Sequence, residues 1–381
     1  MRKYYIDHIR SFTILLVVVY HVIYMFNSVA TPGVIGPVTD FHGQDVVQYL
    51  LYPWFMMILF LLSGMCSKYY LDHHTDKEYR RARTRKLFVP STLGVLAIGW
   101  MQGYINMALS HAFDQMDLSA VPKAVLYLII CVSGTGVLWT IQVMWVLSMV
   151  LLLIRKIEKG RLSGWIERGL DRWNHGILLL ILVLLAIPAW GSAQLLNTPV
   201  IAVYRFGIYG FAFLLGYYVF SCEKVTDCLA KFSIPLMIAA TVLGTAYVWR
   251  DWGQNYAVMP SVNSLSAISY GYFMCLAVLG AMKRWCNRES EIGNWLAAKS
   301  FGIYVFHYLP LSACAYFLYQ YTELPGVIFY LLTAIAAFGG ALFLYEIISR
   351  IPVLRFLILG IARKKKDSCE NGYKNGYTKT C

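Results

Sequence analysis

The sequence predicts an all-α polytopic membrane bundle of about ten transmembrane helices with both termini cytoplasmic, and composition, span length and charge placement each point there. Of 381 residues, 59% are hydrophobic, 15% aromatic and only 14% charged, with a mean hydropathy of +0.56, a balance that excludes an ordinary soluble domain. The apolar residues gather into stretches of about 20, the length that crosses a hydrocarbon core of roughly 30 Å. Thirty of the 33 Lys and Arg fall on alternate loops and the two termini, leaving Lys123, Arg205 and Arg250 for the other side. An even number of spans with both ends inside satisfies every loop under the positive-inside rule.

Spans are expected near 9–29, 47–66, 87–110, 136–154, 176–194, 202–220, 233–250, 264–283, 300–320 and 326–348, separated by polar or Gly/Pro-bearing loops. They form one membrane domain, 1–361, followed by a basic tail, 362–381, expected to be disordered. The first span is full length and lacks a small-residue cleavage site after it, so it reads as a retained helix rather than a signal peptide. The apolar segment 122–133 is half the length of a span and reads as interfacial or re-entrant. The net charge of +13 belongs to the cytoplasmic face. It implies anionic lipid head groups or an anionic cytoplasmic ligand, with no nucleic acid. Nine cysteines form no CxxC pair, and no metal is expected.

The first span carries the residues that invite a chemical reading. In DHIRSFTILLVVVYH, Arg10 and His21 are eleven positions apart and return to within ~20° on a helix, with Asp7 within ~40° of His21. Asp7, Arg10, Ile14, Val17 and His21 therefore form one stripe. His21 lies ~16 Å above Arg10, near mid-membrane, where an ionisable group usually marks a pathway or a reaction site. A neutral histidine bonded between helices is the structural alternative.

Span two ends in Phe60-Leu-Leu-Ser63-Gly64, and the run YRRARTRKLFVP follows, with Arg80, Arg81, Arg83, Arg85 and Lys86 just before Pro90. Guanidinium groups pair bidentately with phosphates, although the same run also serves positive-inside anchoring. Span four opens with Trp139 and Gln142, and span six with Tyr204 and Arg205, which makes Trp139, Gln142 and Arg205 outward-facing candidates for a polar acceptor. Span nine opens with Ser300-Phe-Gly-Ile-Tyr304-Val-Phe-His307. Tyr304 and His307 are one turn apart there, and His307 is expected only ~10 Å into the membrane, lining an access path from the cytoplasm.

Taken in order, IDHIR…H, FLLSG, RTRKLFVP, LWTIQVMW, FLLGYYVF and SFGIYVFH resemble acyltransferase family three, the multispan enzymes that acylate hydroxyls of surface polysaccharides, periplasmic glucans and related acceptors. The resemblance implies an O-acyltransferase of the bacterial inner membrane that uses acyl-coenzyme A, acetyl-coenzyme A first of all, with glycan-assembly proteins as further partners. It implies essential roles for Arg10 and His21 and donor binding by the arginine segment, carried by motif to Arg83 and Arg85. Arg81, Lys86, Ser63, Tyr304 and His307 complete the expected donor path. Lys86 stands before Leu87 where the family often has Arg, and no hydrolase-like domain is appended.

The expected mechanism docks donor phosphates on Arg80–Lys86 and runs the pantetheine arm between helices toward His21. His21 acts as general base on an acceptor hydroxyl from outside. Arg10, oriented by Asp7, steadies the donor. An acyl-imidazole on His21 would instead make the reaction two-step. A transporter also uses buried ionisable groups, but the later half holds no second copy of the Asp7/Arg10/His21 pattern. A different membrane acyltransferase superfamily, with its key histidine late in the chain, would make His307 the central residue.

Overall fold

The computed structural model describes residues 2–29, 34–115, 121–198 and 203–361. The tail at 362–381 lies outside them. Among the described residues the chain is helical, apart from loops and one antiparallel bridge between Asn197 and Arg205. In order the helices are α1 (Tyr4–Met25), α2 (Val46–Leu71), α3 (Asp76–Arg83), α4 (Val95–Leu109), α5 (Ala112–Gln115), α6 (Lys123–Ser133), α7 (Trp139–Glu158), α8 (Arg161–Arg172), α9 (His175–Leu184) and α10 (Ala186–Ala193). There follow α11 (Phe206–Leu215), α12 (Glu223–Lys231), α13 (Ser233–Asp251), α14 (Leu265–Trp285), α15 (Glu291–Phe306), α16 (Tyr308–Tyr321), α17 (Gly326–Ile335), α18 (Ala341–Arg350) and α19 (Pro352–Leu359).

Six helical units, Tyr4–Met25, Gly43–Leu71, Gly136–Glu158, His175–Ala193, Leu265–Trp285 and Gly326–Arg350, are long and apolar enough to cross a membrane. Two bent pairs, Phe206–Phe220 with Glu223–Lys231 and Glu291–Phe306 with Tyr308–Tyr321, raise the number to eight. Each of the ten expected spans falls on helix, but α4 and α13 are not among those eight units. The segment expected to be interfacial or re-entrant is α6, an eleven-residue apolar helix.

The bundle is centred on α2, most of whose residues are buried. Lipid tails are as apolar as leucine, so close packing and small residues must hold such helices together. Two of the motif fragments meet for this purpose. A β-carbon at Gly64 would lie 1.9 Å from the Phe213 carbonyl oxygen, and one at Gly216 would lie 2.0 Å from the Leu61 carbonyl oxygen. FLLSG and FLLGYYVF thus cross backbone to backbone, and neither glycine admits a side chain. A second close crossing joins α4 to α6, where β-carbons at Gly103 and Gly134 would lie 1.7 Å from the Ile130 oxygen and 1.8 Å from the Gly99 oxygen.

The arginine run begins as a capped helix. Thr75 and Glu78 form a capping box at α3, and the hydrogen bonds from Thr75 hold the Glu78 carboxyl below its usual range. The helix then continues through two π-helical turns, Thr84–Phe88 and Pro90–Gly94, into α4. Pro90 has no N–H to give inside this helix, and the wider turns accommodate it. Ser91 Oγ and Thr92 Oγ1 turn back to the carbonyls of Leu87 and Phe88, at 2.7 and 2.6 Å.

Candidate active site

Helix α1 points its stripe inward: Asp7, Ile14 and Val17 are buried, while Arg10 and His21 are half-buried. At the N-terminal end, Asp7 is clamped between two arginines. Arg2 donates to Oδ2 through Nε at 3.0 Å and Nη2 at 2.9 Å, and Arg10 Nη2 donates to Oδ1 at 2.9 Å. Asp7 therefore fixes the orientation of Arg10.

At the other end, His21 and His307 form a pair that the sequence did not reveal. His307 Nε2 lies 3.2 Å from His21 Nδ1. The carbonyls around them assign the protons. His307 Nδ1 faces the oxygens of Ile303 at 3.1 Å and Tyr304 at 2.9 Å, which only accept, so Nδ1 carries the hydrogen and Nε2 of the neutral ring is an acceptor. His21 Nδ1 faces the Val17 oxygen at 2.8 Å and His307 Nε2, both acceptors, so it too carries its hydrogen. The lone pair of His21 is thereby left on Nε2. His307 is fully buried, whereas His21 is half-buried among Tyr20, Tyr24 and Tyr308.

The bend between α15 and α16 brings this pair together. The two helices meet at 48° at His307, and Pro310 withholds the N–H that would bond the Phe306 carbonyl. His307 ends a helix that starts at Glu291 behind a Ser290 cap, nine residues before Ser300. It is a direct neighbour of His21. Tyr304 is buried and donates its hydroxyl to the Val137 carbonyl, fastening α15 to the turn that precedes α7.

The arginine run divides into two kinds of residue. Arg83 turns inward, giving Nη2 to Ser67 Oγ at 2.8 Å and to the Ser63 carbonyl at 3.3 Å, and Nη1 to Ser63 Oγ at 3.5 Å, with its guanidinium 5.2 Å from the Tyr79 ring centre. Ser63, expected on the donor path, is thus occupied by Arg83. Arg80, Arg81, Arg85 and Lys86 are exposed.

The three outer candidates belong to one cluster. Gln142 Nε2 donates 2.9 Å to the Ser91 carbonyl in the second π turn, and its Oε1 accepts from Tyr204 at 2.5 Å. Trp145 Nε1 donates to Thr84 Oγ1 at 3.2 Å, so α7 grips the arginine-bearing helix at both π turns. Trp139 packs on Tyr204 and Tyr209. Arg205 is buried, donates to the Val262 carbonyl at 3.1 Å and Asn263 Oδ1 at 2.7 Å, and leaves Nε without a partner. Gln142 is a strut, while Arg205 keeps one unused donor. Sequence reasoning also missed Ser67, which lies one turn beyond Ser63, and Tyr24 and Tyr308, whose positions one turn after Tyr20 and directly after His307 are the only signals they gave.

A family model described as "Acyltransferase domain" matches residues 3–346. Among curated proteins, the chain is 24% identical over 397 residues to "Glucans biosynthesis protein C" of Salmonella schwarzengrund (strain CVM19633), covering 96% of this chain and 97% of that one. The protein of the same name from Salmonella heidelberg (strain SL476) is 23% identical over 390 residues, with the same coverage. No solved structure matches.

Proposed function

Because the chain belongs to acyltransferase family three and is an acyltransferase enzyme of the membrane, we propose that it moves an acyl group, acetyl first of all, from cytoplasmic acyl-coenzyme A to a hydroxyl of an extracytoplasmic glycan. The name carried by its relatives supports a glucan or glucan-like acceptor, with glycan-assembly proteins as further partners. The eight crossing units, with α3–α4 and α13 added, support ten spans, and the basic loops support cytoplasmic termini in a bacterial inner membrane.

The observation that carries this reading is the His21–His307 pair. With Nδ1–H held by Val17 and His307, His21 offers Nε2 as general base. The acceptor hydroxyl gives its proton to Nε2 as its oxygen forms a bond to the thioester carbonyl carbon. The carbon–sulfur bond then breaks, and the departing thiolate takes the proton back from the imidazolium. During the step the imidazolium keeps its Nδ1–H on His307 Nε2, which spreads the charge; the role of His307 is positioning and support. Arg10, fixed by Asp7, faces the donor side, and Arg80, Arg81, Arg85 and Lys86 receive its phosphates.

The test is sidedness. Proteoliposomes with the basic face inward are loaded with radiolabelled acetyl-coenzyme A and given glucan outside. Label is expected on the external glucan without rupture of the vesicles. Label that appears only when donor and acceptor share a compartment would overturn the transmembrane reading.

A further inference from the structure

Several tyrosines inside the bundle are pinned by their hydroxyls. Tyr49, Tyr270, Tyr272 and Tyr304 give theirs to the backbone carbonyls of Gln254, Leu50, Leu182 and Val137. Tyr20 shares its hydroxyl with that of Tyr256 at 3.2 Å. A buried phenol ordinarily finds such a partner, because an unpaired polar group among packed helices is costly. Tyr24, Tyr52 and Tyr308 depart from this: among the described residues their hydroxyls have no hydrogen-bond partner. The hydroxyls of Tyr5 and Tyr247 lack one too, but these are sealed away, whereas Tyr24, Tyr52 and Tyr308 are half-buried.

The open surface at this place looks into the bundle. On α1 the outward face is marked by Phe12 and Val19, seven positions apart and both exposed. At about 100° per residue, His21 lies about 160° and Tyr24 about 140° from Val19, so these two half-buried residues are turned away from that face. On α2 every residue from Leu51 to Ser67 is buried except Tyr52, which lies about 160° from the exposed Leu50.

The rings gather round His21. Tyr24 and Tyr52 stand 5.6 and 5.9 Å from the Tyr20 ring, and His21 stands 6.4 Å from Tyr24 and 5.2 Å from Tyr308. Tyr52 is within electrostatic reach of Tyr24 and also of Arg205 and Tyr209. Arg205 brings its buried, unpartnered Nε. Unused donors and acceptors thus run from Arg205 past Tyr52 and Tyr24 to the general base.

We infer that Tyr24, Tyr52 and Tyr308 form the subsite that holds a sugar ring of the acceptor beside His21, with Arg205 Nε donating to a further hydroxyl of the same glycan. A pyranose carries hydroxyls around its edge and C–H groups on its faces, so it is matched by polar groups and ring faces together. Phenols supply both, each hydroxyl able to donate and to accept. The inference rests on the glycan acceptor of the proposed function and adds the residues that recognise it. Of the outer candidates read from the sequence it keeps only Arg205.

The full enzyme in detergent is assayed with acetyl-coenzyme A and a glucan oligosaccharide, and binding of the same oligosaccharide, fluorescently labelled, is measured without donor. Tyr24→Phe and Tyr52→Phe each remove one hydroxyl and keep the ring. Each is expected to raise the acceptor KM and the Kd of the labelled glucan roughly three- to tenfold, with the donor KM unchanged. Tyr308→Phe takes the place of either variant should it fail to insert. Tyr270→Phe, whose hydroxyl rests on the Leu50 carbonyl, is the control and is expected to leave both acceptor values unchanged. Acceptor values unaltered in Tyr24→Phe and Tyr52→Phe, or altered equally in Tyr270→Phe, would overturn the subsite. A wild-type enzyme that neither binds nor acylates the oligosaccharide would instead overturn the glucan acceptor, and the subsite with it.

Discussion

The histidine pair and the arginine run, the two regions to which the proposed reaction assigns its chemistry and its donor, are held in different ways. His307 is fully buried, with Nδ1 on two backbone carbonyls and Nε2 on His21, so its tautomer and ring angle are set by the fold before any ligand arrives. Along the arginine run, Arg83 is bound internally to Ser63 and Ser67, whereas Arg80, Arg81 and Arg85 are exposed. The first region is preorganised, and under the proposed function changes there should act on the chemical step. The second meets solvent, and under the same proposal its charges should act through binding and be screened by salt. The same residue type thus serves two purposes within three positions, Arg83 and Arg85, because residues two apart point to nearly opposite sides of a helix.

The comparison can be broken at several points. The largest expected effect is at His307. His307→Ala should lower kcat by roughly 10²-fold or more with little change in either KM, since it removes the partner of the general base. His307→Gln, which can still accept from His21 Nδ1–H, should recover part of that loss in steady-state assays. A merely structural His307 would give no such split between the two variants.

Gly64→Leu comes next and acts on the frame. With the Phe213 carbonyl 1.9 Å from a new β-carbon, α2 and α11 must part, at a cost of about 3 kcal/mol or more. Loss of the folded fraction in fluorescence-detected size exclusion would check it. The arginines should then separate. Arg83→Ala, which removes the guanidinium bonds to Ser67 Oγ and the Ser63 carbonyl, should lower thermal stability by about 1–3 kcal/mol. Arg81→Ala and Arg85→Ala should leave stability unchanged, raise the donor KM several-fold and weaken its salt dependence. Equal behaviour of Arg83 and Arg85 would erase the distinction. The smallest effect is expected for Gln142→Leu, which leaves the Ser91 carbonyl and the Tyr204 hydroxyl without their partner, for about 1–2 kcal/mol in a thermal shift.

Much of this frame can be read from the chain alone, because hydropathy and helical period are local properties. The Asp7, Arg10, His21 stripe follows from spacing, and each expected span falls on helix. The meeting of His21 with His307 does not follow, since it depends on how far α1 and α15 rotate and slide against each other and on the bend before Pro310. The full length of the helix before His307 is likewise hidden, since α15 begins at Glu291, nine residues before Ser300, behind the Ser290 cap. Gln142 reads from the sequence only as a polar residue at an outer helix start. Its true partner is a carbonyl in a π turn that the residues around Pro90 do not reveal. FLLSG and FLLGYYVF were visible as motifs, but only their crossing explains the glycines.

The central claim is that His21 performs the proton transfer and is held for it by His307. It is tested most directly by measuring radiolabel moved from acetyl-coenzyme A into glucan by membranes that carry wild type or His21→Ala at matched, folded expression. The account expects transfer by wild type and none above background by His21→Ala. Transfer by His21→Ala at the wild-type rate would contradict it.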